Sequence, residues 1–142
     1  MTPGKGTEPM SDTLRLAARS LLTGGLLLLA LSLAACHLGA ERHAVALTGG
    51  NPKQGAALLY SYGCVMCHVI PGVRGENGLV GPPLTDIASR AYLVGQLPNT
   101  PENMIRWIRY PQQISPYSAM PSMGVTEIEA RHMAAYLYTL RR

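Results

Sequence analysis

Cys64-Val65-Met66-Cys67-His68 is the stretch on which the reading of this chain turns. Residues at i, i+3 and i+4 share one face of a helical turn, so this run offers two thiols and an imidazole on a single side. The 142-residue chain around it has room for one ordinary domain. It contains no Phe, one Trp, 15 Gly and 11 Pro, and its 47% apolar content is unevenly spread. Eight of its 20 leucines fall within Leu21–Leu33. That composition excludes a coiled coil, a repeat array and a polytopic membrane protein. It also leaves a small, loop-rich domain with few side chains to fill a centre.

Four chemistries use a C-x-x-C run. In C-x-x-C-H form it is the attachment signature for c-type haem, two thioethers anchoring the ring while the adjacent imidazole meets the iron. A dithiol redox pair is the second reading, although no βαβ pattern surrounds the run. Zinc is the third, but no second Cys pair or HxxxH run supplies the remaining ligands. A structural disulfide between Cys64 and Cys67 is the fourth.

Working outward, Asn51-Pro52-Lys53-Gln54 predicts a helix start, with Asn as cap and Pro at the first helical position. Gly63 is expected to end that helix just before Cys64. Residues 69–84 form a Gly/Pro loop without a period. Thr100-Pro101-Glu102-Asn103 predicts a second helix through Trp107 to Tyr110, stopped by Pro111. Residues 111–121 carry three prolines and no period, and are expected to be a stiff extended loop. Thr126-Glu127-Ile128-Glu129 reads as a capping box opening a last helix. Ile128, Met133, Tyr136, Leu137 and Leu140 should line one side of it, with Arg141 and Arg142 at its C-terminal end and His132 solvated near the polar side. The predicted fold class is all-α.

The N-terminal 35 residues read as an address. Lys5, Arg15 and Arg19 precede an apolar run from Leu21 to Ala35 that covers roughly 22 Å as a helix, short of the ~30 Å hydrocarbon core. Such a flank and centre with a small-residue exit mark a secretory signal. Met10 is an alternative start. The exit Leu33-Ala34-Ala35-Cys36 resembles the bacterial lipobox, which would make Cys36 a lipidated first residue. Plain cleavage after Ala34, giving a soluble periplasmic protein, and a retained anchor are the alternatives. Residues 36–50 read as a flexible, lipid-bearing tether, leaving 51–142 as the folded domain. Losing residues 1–35 removes three of 12 basic and two of eight acidic residues, so the net charge falls from +4 to +3. No basic run or basic–aromatic interleaving points to nucleic acid.

Over residues 51–142 the chain resembles the class I cytochrome c family. The resemblance implies first and last helices that cross, and a third helix with long Gly/Pro loops wrapping one covalent haem c. Gly55 matches the small residue that lets the crossing helices approach, and Leu59 stands where the family usually has Phe. Cys64 and Cys67 are then the thioether residues and His68 the proximal iron ligand. Pro82, in Gly81-Pro82-Pro83-Leu84, matches the proline whose carbonyl accepts the Nδ1–H of that histidine. Arg90 has the spacing of an arginine near a propionate, with an ordinary surface arginine as the alternative. Trp107 takes the place of an aromatic against the distal side of the ring. Met120, directly before Pro121, matches the distal methionine ligand, with Met123 as runner-up.

With both axial positions filled, the resemblance implies a one-electron carrier rather than an enzyme, and a monomer. Asn99-Thr100-Pro101-Glu102-Asn103 and the ending from Met120 to Leu140 look most like cytochromes serving bacterial terminal oxidases. The implied acceptor is therefore a terminal oxidase, and the donor a bc1-type complex or another cytochrome. A haem subunit of a larger oxidase or dehydrogenase, and a haem enzyme or sensor with a labile distal Met, are the alternatives. The protein is expected to be exported and held by lipid at Cys36 to a membrane facing the periplasm or the cell exterior. The macrocycle would supply the apolar centre that the side chains lack.

Overall fold

The computed structural model describes residues 12–75, 78 and 80–141. Lys5, Met10 and Arg142 lie outside the described residues. The chain divides into two compact units, Met1–His37 and Leu38–Arg142.

Helix α1 (Asp12–Thr48) contains the apolar run, and within it Leu21, Leu22 and Leu26 to Leu29 are exposed. Among the described residues, no helix is long and apolar enough to cross a membrane. The backbone of Cys36 is helical and lies within α1. Residues 38–48 depart from expectation, because they are the end of this helix and not a coil. Ala44 and Thr48 are buried, and Arg131 reaches across to donate to Thr48 O at 3.3 Å. Small residues at Ala44 and Thr48 let the segment pack on the domain, an advantage that the absence of a long apolar period conceals. Thr48 Oγ1 donates back to Ala44 O and accepts from Gly50 N, which closes the helix end.

In the second unit α2 (Pro52–Ser61) starts as predicted. The Asn51 side chain accepts from Lys53 N and Gln54 N, and Pro52 occupies the first turn. Tyr62 caps the C-terminus, and Gly63 then takes a left-handed φ of 71°, which glycine adopts without steric cost. A 3-10 turn (Cys64–Met66) follows at once.

Helix α5 (Glu127–Leu137) crosses α2, and Gly55 is what permits the approach. A Cβ at Gly55 would lie 2.0 Å from His132 O and 2.6 Å from its carbonyl carbon, both backbone atoms that cannot yield. The buried side chains of Leu59 and Met133 belong to the same core cluster. The capping box is complete, with Thr126 and Glu129 bonding each other's backbone N–H. Three expectations for α5 fail. Ile128 is 65% exposed, and Ala130 and Ala134 are fully buried in the core cluster. The helix buries Ala130, Met133, Ala134 and Leu137, a face from which Ile128 is turned away. His132 is partly buried, not solvated: its Nδ1 accepts from Asn51 N at 2.9 Å. The helix ends at Leu137, so Leu140 and Arg141 lie beyond it.

Helix α3 (Pro101–Arg109) is capped by Thr100, whose hydroxyl accepts from Asn103 N, and buries Met104, Ile105 and Ile108. Pro111 stops α3 but also opens a single helical turn, α4 (Pro111–Ile114), where the sequence suggests only an extended loop. Proline is well suited to a first helical position, so one residue serves both purposes. A two-residue antiparallel pair, β1 (Tyr92–Leu93) with β2 (Leu97–Pro98), joins a second 3-10 turn (Ile87–Ser89) to α3. The architecture is otherwise helical, as expected.

Candidate haem-binding site

Cys64 and Cys67 are free thiols, both half-buried, on the turn that α2 delivers. Burial pushes the Cys64 thiol above its ordinary value, reinforced by the neighbouring charge of Cys67 and opposed by a backbone hydrogen bond. A redox dithiol needs the reverse, a depressed nucleophilic thiol. Among the described residues, no group of three or more His, Cys, Asp or Glu side chains is placed to hold a metal ion, which leaves the zinc reading without ligands.

The imidazole of His68 is held on one side only. Its Nδ1 lies 2.7 Å from Pro82 O, a carbonyl that can only accept, so the proton sits on Nδ1 and Nε2 carries the free lone pair. Among the described residues, Nε2 has no protein partner. Gly81 makes this placement possible, since a Cβ there would lie 2.3 Å from His68 Cε1 and 2.6 Å from Nδ1. Gly78 is equally confined, its Cβ position being 2.4 Å from Met66 O. Gly81 N donates to Cys67 O and Leu84 N to Val69 O, which pins the Gly/Pro loop alongside the turn.

Arg90 meets this loop as well. Its Nη2 donates to Pro83 O and to Thr85 O, the latter at 3.1 Å. Trp107 is half-buried and packs against the core cluster. Met120 is half-buried in the segment after α4, where two side chains fix its backbone. Met120 N donates to Ser118 Oγ at 3.1 Å, and Gln112 Nε2 donates to Met120 O at 2.5 Å. Met123, the competing ligand, is 46% exposed.

These residues fit a covalent haem. Two thiols on one turn, an imidazole with a free Nε2, and a glycine-lined approach are what its attachment and proximal ligation require. The shallow cleft lined by Glu102, Ile105, Arg106, Arg109, Tyr110, Glu127 and Arg131 shares no residue with the set.

Several participants are missed in the sequence reading. Gly81 has a visible signal, standing between the motif and a double proline. Asn99 and Tyr138 have none, because their partnership spans 39 residues. Tyr62, directly after α2, donates to Glu129 Oε2 at 2.9 Å and ties the haem-motif turn to the start of α5.

Comparison with known proteins agrees with this geometry. The family model described as "Cytochrome c" matches residues 52–141. Cytochrome c oxidase subunit 2 of Alkalihalophilus pseudofirmus is 31% identical over 90 residues, covering 63% of this chain and 25% of that protein. Cytochrome c oxidase subunit 2 of Bacillus sp. (strain PS3) is 27% identical over 93 residues, covering 63% of this chain and 26% of that protein. The chain thus spans about a quarter of the length of these relatives. No solved structure matches it at a significant level. From the C-x-x-C-H turn, the anchored imidazole and a match covering the domain, the chain belongs to the cytochrome c family, which binds haem covalently and uses it for electron transfer.

Proposed function

We propose that the protein is a one-electron carrier with a single haem c, held to a membrane by lipid at Cys36 and delivering electrons to a respiratory terminal oxidase. The carrying observation is the His68 Nδ1–Pro82 O bond, which orients the imidazole and leaves Nε2 free for iron. In this reading the Cys64 and Cys67 thiols would hold the haem as thioethers, the thiol S–H adding across a vinyl group with no oxidant needed. His68 and Met120 would hold the iron. Trp107 packs toward the ring, and Arg90 pairs a propionate with the part of its guanidinium that Pro83 and Thr85 do not use. When bound, the haem supplies a ferrous–ferric couple that takes up and releases one electron. The protein's part is to keep ligands, solvent exclusion and geometry alike in both states. Imidazole and thioether together raise the potential relative to two nitrogen ligands.

Delivery to an oxidase is supported by the relatives, both of them oxidase subunits. They also favour a second reading, in which the chain is a fixed subunit and not a diffusing carrier. Stopped-flow oxidation of the reduced protein by a purified haem–copper oxidase tests the first. Rapid single-electron oxidation that saturates with oxidase concentration is expected. No oxidation by the isolated oxidase, together with copurification in one complex after mild detergent, would transfer the assignment to the second.

A further inference from the structure

A line of hydrogen bonds runs from the end of α5 to the loop beside His68. Tyr138, 3% exposed at the C-cap of α5, donates its hydroxyl to Asn99 Oδ1 at 2.8 Å. Asn99 Nδ2 donates to Ile87 O and Arg90 O, each at 2.8 Å, so this amide uses both protons and its oxygen. Arg90 turns its guanidinium back onto Pro83 O and Thr85 O. Between those carbonyls and the haem motif stands Pro82, whose oxygen receives the His68 proton.

The loop needs such support. Gly81 N and Leu84 N bond Cys67 O and Val69 O on either side, but Pro82 and Pro83 between them have no N–H, so that stretch has no backbone donor of its own. Arg90, fixed at its own carbonyl by Asn99, supplies the missing donors from outside. We propose that Tyr138, Asn99 and Arg90 form a brace that holds Pro82 O against His68 Nδ1, and that Asn99 is thereby a positioning residue for the reduction potential. The proposal rests on the haem-carrier reading above.

The direction of the effect follows from the ligand. Donation from Nδ1 to a firmly placed carbonyl makes the imidazole more basic. A more basic ligand favours the more highly charged ferric iron. Loosening the brace should weaken that donation and raise the potential. Removing the Arg90 charge would act in the opposite sense, so the informative changes are those that leave charge constant.

The test is a redox titration of the full-length holoprotein with Tyr138→Phe, Asn99→Ala and Arg90→Lys, beside Thr126→Ala as a neutral change in the capping box of α5. Tyr138→Phe removes only a hydroxyl, and Lys keeps the charge on a side chain one atom shorter, which cannot bring its nitrogen to where Arg90 Nη2 meets Pro83 O and Thr85 O. The expected result is an upward shift in all three brace variants, largest for Asn99→Ala, with Thr126→Ala at the wild-type potential although it also melts earlier. If Asn99→Ala does not fold, Tyr138→Phe and Arg90→Lys decide. Wild-type potentials in variants that merely melt earlier would overturn the brace and leave the carrier reading intact. A wild-type protein lacking covalent haem would overturn both.

Discussion

At Met120 the backbone is fixed by Ser118 and Gln112, while Met123, three residues on, is 46% exposed. That difference favours Met120 as the distal ligand, because a ligand must be placed before iron arrives if both oxidation states are to share one geometry. Met120→Ala should abolish the far-red sulfur-to-iron band of the ferric protein and open the iron to added imidazole. Met123→Ala should retain the band, and the reverse pattern would exchange their roles. The grouping of the two thiols with His68 is legible from local spacing, whereas Pro82 is reached only through the family resemblance of its loop. Asn99 and Tyr138 are not legible, since nothing in either neighbourhood reveals a hydrogen bond formed only once α5 has docked.

On the scale of single elements, capping residues are read most securely. Asn51, Thr100 and Thr126 all act within three residues of themselves, so local chemistry suffices to identify them. Buried faces are read less well. The packing of α5 buries Ala130 and Ala134 and leaves Ile128 exposed, so side-chain hydrophobicity alone does not mark the face that meets the core. Residues 38–48 and α4 are missed for related reasons, the first lacking a long apolar period and the second being a single turn. The start of α5 also has a pH dependence. A hydrogen bond from Thr126 is the main reason that the Glu129 carboxyl is held below its ordinary value of 4.5, and Arg131 does the same for Glu127. A carboxyl depressed in the folded state contributes stability above its unfolded pKa and loses it as pH falls through the folded one. Melting temperature should therefore decline in acid below about pH 4.5. Thr126→Ala should cost about 1 kcal/mol at neutral pH and flatten that acid decline, as thermal melts across pH would record. An unchanged acid profile would place the sensitivity elsewhere.

For the molecule as a whole, the abundance of Gly and Pro and the absence of Phe describe a chain that wraps a cofactor. Eight of the 11 prolines lie between Pro71 and Pro121, in segments that would surround the ring. Fold class is legible at this scale because caps, glycines and the haem motif all agree on it. A chain whose centre is the macrocycle should fold poorly without it. The Cys64→Ala, Cys67→Ala double variant is expected to lose much of its helical circular dichroism, and native-like ellipticity would show that the side-chain core suffices. The claim beneath all of these is covalent attachment of one haem at Cys64 and Cys67. Intact mass of the purified full-length chain after acid denaturation and organic extraction tests it most directly. A polypeptide heavier by one haem is expected, with none gained when both cysteines are replaced. A mass equal to the bare polypeptide, or a haem retained in the double variant, would contradict it.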